Sequence, residues 1–186
     1  VRTVGSVLHL PDAVLPWLWT GVAVSLMFFL GALVYVQRLA LQLGLTEAAA
    51  THAAWLLACY PFSLFYGQHY TEALFLLCAV LAVYHFTRGR LLCSAVFGFS
   101  AGLVRPTGIL VAVPLIVLAY QLAKSRQRPF LWFTATAAAI APALGLAAYA
   151  AYIYSVTGDS LAWMEAQSRF GREWGFPWLP LVDLAR

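Results

Sequence analysis

Residues 14–36 read VLPWLWTGVAVSLMFFLGALVYV, a run without a single charged side chain. At ~1.5 Å per residue a helix over this run reaches across a hydrocarbon core ~30 Å thick. Further apolar runs follow at 52–66, 70–86, 91–104, 107–123 and 131–156, separated by short polar breaks. Over the 186 residues, 63% are hydrophobic and 10% charged, against roughly 25% charged in an ordinary globular domain. The expected fold is an all-α membrane protein, a polytopic helical bundle of about six spans. One membrane domain covers 1–186, with 157–186 as an outer interfacial loop.

Two of the runs are too poor to cross alone. Pro61 interrupts 52–66, and 91–104 holds 14 residues, a length of about 21 Å as a helix. Broken or half-length helices at membrane depth are tolerated where they pack in protein or line a polar cavity. They therefore point towards a site.

Orientation follows from the basic residues. Arg38, Arg88, Arg90, Lys124, Arg126 and Arg128 fall in alternate breaks, which the positive-inside rule makes cytoplasmic, with Glu47 as their one acid. Asp12, Glu72, Asp159, Glu165, Glu173 and Asp183 then fall on the opposite side, with Arg105 near its boundary. The polar chemistry is expected on the outer face.

The net charge of +4 is dispersed in short clusters, so nothing offers the contiguous basic surface that nucleic acid requires. Cys59, Cys78 and Cys93 sit inside apolar runs without CxxC spacing and read as small buried hydrophobes. His9, His52 and His85 show no i, i+4 pairing, and no metal site is implied. There is no P-loop, dinucleotide fingerprint or GxSxG elbow.

Four outer clusters carry the candidate chemistry. Tyr60-Pro61-Phe62-Ser63 leads through Tyr66, Gln68 and His69 to Tyr70-Thr71-Glu72. Glu72 in the first turn of its helix meets the N-terminal dipole, and Thr71 is placed to cap. A carboxylate so close to hydrocarbon still costs ~2–3 kcal/mol unless something polar meets it. In Arg105-Pro106-Thr107-Gly108, Pro106 can start a helix while Arg105 either snorkels to the interface or binds a lipid phosphate or Glu72. Asp159, after Gly158, either caps the helix that follows or faces the site. Gln167, Arg169, Arg172 and Trp174 set polar donors beside an aromatic surface that could hold a sugar, with a solvated loop as the alternative.

The order Tyr60-Pro61-Phe62-Ser63, Tyr70-Thr71-Glu72-Ala73-Leu74-Phe75, Arg88-Gly89-Arg90, Gly102-Leu103-Val104-Arg105-Pro106-Thr107-Gly108, Gly158-Asp159-Ser160 and Gln167 resembles the PIG-V-like mannosyltransferases. That family comprises the enzymes that add the second mannose to GPI anchors, and their bacterial relatives. The resemblance implies a multi-pass glycosyltransferase of the GT-C type. Such an enzyme moves mannose from a polyprenyl-phosphate-mannose donor to a glycolipid or lipid-linked acceptor on the non-cytoplasmic face, with inversion. It further implies that Tyr70, Glu72, Arg105 and Thr107 serve the donor phosphate and sugar, and that His69, Asp159, Gln167, Arg172 and Trp174 serve substrate from the outer loop. The bacterial plasma membrane is the expected location, or the endoplasmic reticulum membrane in a eukaryote. No cofactor is fixed by the resemblance, and a divalent metal is left open.

The family's catalytic Asp belongs to a Trp-Asp motif of the first outer loop, and no Trp-Asp dipeptide occurs here. With Val at position 1 and no signal-peptide pattern, the chain reads as an internal piece whose catalytic loop precedes Val1, inactive alone. Asp12 reads as a cap. Three rival readings stay open: a GT-C enzyme for another sugar, a transporter or flippase, and a noncatalytic lipid-binding subunit.

Overall fold

The long apolar run becomes α1 (Val14–Gln42), which continues past residue 36 because hydropathy marks where lipid ends and not where helix ends. It stops at Gly44, whose φ of 89° is the left-handed geometry that glycine adopts without a Cβ penalty. Leu45 N–H donates to the Ala40 carbonyl and Gly44 N–H to that of Leu41, both at 3.1 Å, closing a Schellman motif. Thr46 then caps α2 (Glu47–Cys59), its Oγ1 accepting from Ala49 N–H at 3.3 Å. A computed structural model supplies these coordinates and describes residues 14–125, 129–162 and 164.

Pro61 ends α2 as its lack of an N–H requires, and the chain bends by 78° into a 3-10 segment, Pro61–Gly67. There follow α3 (Glu72–Thr87), α4 (Leu91–Val104), a second 3-10 segment (Pro106–Val111), α5 (Ala112–Ser125) and α6 (Pro129–Thr157). The described residues are helical without a strand. Two helices, Pro16–Gln42 and Trp132–Thr157, are long and apolar enough to cross a membrane, and the bent pair makes a third if it is one span. α3, α4 and Pro106–Leu122 are shorter apolar helices.

The chain divides into two compact units, 1–147 and 148–186, and the boundary falls within α6. In the first, cross-helix contacts fix the register. Ser25 meets Tyr70, Phe29 stacks on Tyr66 at 4.9 Å, Tyr35 meets Tyr84 edge-on at 5.2 Å, and Gln42 Nε2 donates to Thr87 Oγ1 at 2.9 Å. Along the pairs Ser25–Tyr70, Tyr35–Tyr84 and Gln42–Thr87 the residue numbers rise together, so α1 and α3 run parallel, while Tyr66 belongs to the 3-10 segment that precedes α3. α4 returns antiparallel to α3, with the buried Ser94 hydroxyl donating to the Ala82 carbonyl at 2.8 Å.

The N-terminal ends of α1 and α3 therefore lie at the same end as the C-terminal end of α4. At the other end, Arg38 stands 5.3 Å from the Tyr35 ring and Arg88 5.0 Å from that of Tyr84. The turn there depends on Gly89, at φ 72°.

The core joins Cys78, Ala82 and Phe86 of α3 to Ala101, Val111, Leu115 and the alanines 135, 138 and 139 of α6. Small residues let apolar helices approach closely when no water is available to drive them together. The approach is closest where Gly98 and Gly102 meet Pro142 and where Gly145 meets Phe99. A Cβ on Gly102 would lie 2.0 Å from the Pro142 carbonyl oxygen, and one on Gly145 2.0 Å from that of Phe99.

One expectation is corrected. Cys78 is buried, but Cys59 and Cys93 are exposed, because on a lipid-facing helix an apolar position need not pack against protein.

Candidate functional site

The site is organised by the first residues of α3. Glu72 opens that helix, where its charge complements the dipole. Thr71 occupies the cap position, yet its side chain makes no capping bond, contrary to expectation. Its φ of −86° and ψ of −1° are helical rather than extended, and a capping hydroxyl normally requires extended backbone.

Arg105 Nη1 forms an ion pair with Glu72 Oε1, and each side chain is about one-third exposed, at 33% and 29% respectively. The other carboxylate oxygen, Oε2, is shielded and takes no hydrogen bond from the described residues. The two charges come from positions 33 residues apart in the numbering, so the antiparallel pairing of α3 and α4 brings them together.

Local geometry explains how Arg105 is presented. Pro106 disfavours helical backbone in the residue before it, and Arg105 is extended at φ −146°, ψ 140°. Its N–H donates to the Ala101 carbonyl at 3.3 Å, and its own carbonyl accepts from Gly108 N–H at 2.8 Å. Gly108 lies against the end of α4 so tightly that a Cβ there would fall 2.1 Å from the Ala101 oxygen. Thr107 is exposed in the same 3-10 segment.

On the side of α3 that faces α1, a half-open groove of about 350 Å³ lies between the two elements. Gly21, Val24, Ser25 and Phe28 of α1 form one wall. His69, Tyr70, Thr71 and Leu74 form the other. The His69 ring lies directly over Gly21, where a Cβ would stand 1.7 Å from its Cδ2. Ser25 Oγ donates to the Tyr70 carbonyl at 3.3 Å, which ties the segment before α3 to α1.

A family model described as Mannosyltransferase (PIG-V) matches residues 4–159. The chain belongs to this family. Comparison with curated proteins and with solved structures gives no match. The matched region of this mannosyltransferase takes in His69, Tyr70, Glu72, Arg105, Thr107 and Asp159.

Of these, the structure brings Glu72 and Arg105 into contact and sets His69 and Tyr70 along the groove. Asp159 is engaged locally: its Oδ1 accepts from Leu161 N–H at 2.9 Å in the turn after Gly158, whose φ is 77°. The helix weighed for it to cap lies largely outside the described residues. Gln167, Arg172 and Trp174 lie outside the described residues, as does Asp12. Among the described residues, no three of His, Cys, Asp and Glu gather closely enough to hold a metal.

Gly21 and Ser25 were not singled out by sequence. The signal available was their small-xxx-small spacing within a run of bulky apolar residues, a pattern that marks close helix approach.

Proposed function

We propose that this multi-pass, GT-C-type mannosyltransferase takes mannose from a polyprenyl-phosphate-mannose donor. It passes the sugar to a glycolipid or lipid-linked acceptor at the non-cytoplasmic face, in the bacterial plasma membrane by preference. The observation that carries the reading is the Arg105–Glu72 pair, partly exposed at the end of a short helix. A carboxylate and a guanidinium so placed offset for each other the cost that lipid sets on an unpaired charge. The contact with Glu72 engages Nη1, and the fork of the guanidinium suits the oxygens of a phosphate.

In the reaction, the acceptor hydroxyl oxygen attacks the anomeric carbon opposite the lipid phosphate, giving inversion. The bond from that carbon to the phosphate oxygen breaks, and its electron pair leaves on the phosphate. Arg105 meets the charge that develops there. The hydroxyl proton passes to a carboxylate base. Glu72, held by Arg105, is assigned to positioning the guanidinium and not to taking that proton. Tyr70 and Thr107 are assigned to the sugar and phosphate of the donor.

The test uses the full-length enzyme in membranes with radiolabelled polyprenyl-phosphate-mannose. Arg105→Lys, which keeps the charge but loses the fork, should lower transfer by ~10²-fold, as removal of a transition-state donor does. Glu72→Gln should lower it less. Wild-type rates in both variants would remove the pair from the site, and transfer from a different lipid-linked sugar alone would reassign the donor.

A further inference from the structure

The groove between α1 and α3 shares none of its lining residues with the ion pair, and its chemistry is different. Among the described residues, its walls carry no Lys, Arg, Asp or Glu. An anionic head would find no countercharge there, whereas hydroxyls could hydrogen-bond to the His69 imidazole and the Thr71 side chain, which caps nothing. Lower down, Val24, Phe28 and Leu74 are purely apolar.

Depth follows from the helix. Trp17 and Trp19, 77% and 55% exposed, stand just before Gly21 on α1, and exposed tryptophans favour the boundary between head groups and hydrocarbon. From Gly21 to Phe28 the helix rises ~10 Å, so the groove starts beneath that boundary and descends into the hydrocarbon layer. A volume of about 350 Å³ is at the small end of ligand sites, roughly 300–1,000 Å³. It suits a head group and the first stretch of one chain, and the open side admits a lipid laterally.

We infer that this groove seats the acceptor: a lipid with an uncharged, hydroxyl-bearing head, the head at His69 and Thr71 and the chain along Val24, Phe28 and Leu74. The assignment rests on the transfer reading above for the word acceptor, and on the groove alone for the class of lipid. It gives the two substrates separate residues at one helix end. The charged donor goes to Arg105 and the neutral acceptor to the groove. Gly21 is then a positioning residue, since it lets the His69 ring approach α1 closely. A β-carbon there would push the imidazole into the space the head group needs.

The experiment uses the full-length protein in phosphatidylcholine vesicles with two photoreactive probes carrying a diazirine near the head. One is a monohexosyl-diacylglycerol and the other a prenyl phosphate. The glycolipid should label peptides containing 21–28 and 67–74. Val24→Trp fills the groove from a position that is 42% exposed, and should cut that labelling at least tenfold. Gly21→Ala should cut it several-fold.

In transfer assays the same variants should raise KM for the acceptor and leave KM for the donor unchanged. The inference is overturned if the prenyl phosphate labels these peptides as well as the glycolipid does, or if Val24→Trp leaves the labelling unaltered. Because labelling needs no turnover, it can succeed while Glu72 and Arg105 variants keep full transfer rates. That result would remove the ion pair from the donor site and leave the groove's ligand class standing.

Discussion

Replacing Gly102 with alanine adds one methyl group at one of the two tightest points of the α4–α6 crossing. The new Cβ would lie 2.0 Å from the Pro142 oxygen, 2.9 Å from its carbonyl carbon and 3.1 Å from Leu146 N. All three are backbone atoms, so no side-chain rotation relieves the clash. Ordinary contact begins near 3.4 Å, and the helices must separate by about 1.4 Å to reach it. Overpacking of this kind costs ~1–3 kcal/mol, set against a gain in helix propensity of at most ~1 kcal/mol. The larger consequence is functional. Arg105 is the residue that follows α4, and a displacement of ~1 Å at a reacting group can lower a rate by ~10²-fold. The melting midpoint of the detergent-solubilised full-length protein should therefore fall by several degrees, and mannosyl transfer should fall ten- to a hundredfold by the same rule. Gly31→Ala is the matched control, because its Cβ would meet Leu77 at 3.5 and 3.6 Å, and it should leave both readings unchanged. A Gly102→Ala protein with wild-type midpoint and rate would refute the close crossing and its link to Arg105.

Other outcomes follow from single contacts. Gly145→Ala meets the same interface from α6, so its effect combined with Gly102→Ala should be smaller than the sum of the two, read by a double-mutant cycle in melting midpoint. Ser94→Ala removes the bond to the Ala82 carbonyl and should cost ~0.6–1 kcal/mol in a detergent-unfolding titration. Gly89→Val forces a β-branched residue to φ 72° and should cost ~1–2 kcal/mol in the same titration, with Gly89→Asn costing less. Reversing the ion pair, Glu72→Arg with Arg105→Glu, should restore the midpoint lost by either single change without restoring transfer, because on the proposed donor assignment a carboxylate would then face the phosphate. Recovery of both would make the pair purely structural.

The pairing of Glu72 with Arg105 was legible in sequence as one of the alternatives for Arg105, beside snorkelling and phosphate binding, because charge is strongly constrained by lipid. A carboxylate and a guanidinium at neighbouring helix ends need each other, and alternation of the apolar runs decides which ends are neighbours. The proline breaks were legible for the same kind of reason: Pro61 and Pro106 act on their own backbone, whatever surrounds them. Thr71 was misread because residue type suggests a cap while backbone angle decides it. The groove was hidden altogether. Gly21 and Ser25 carry no local signal in α1 beyond their small-xxx-small spacing, and their meaning depends on which residues come opposite. That depends on a parallel register between helices separated by 45 positions, as in the Ser25–Tyr70 bond. Hydropathy separates lipid from water and is silent on which apolar helix faces which. Among helices that all prefer lipid, the choice of neighbour falls to small residues and to occasional polar contacts such as Gln42–Thr87 and Ser94–Ala82. A binding groove between two such helices is therefore set by where glycines allow backbone and side chain to meet. On the acceptor assignment proposed for the groove, substrate preference changes through exchanges at positions such as Gly21 that alter neither charge nor overall hydropathy.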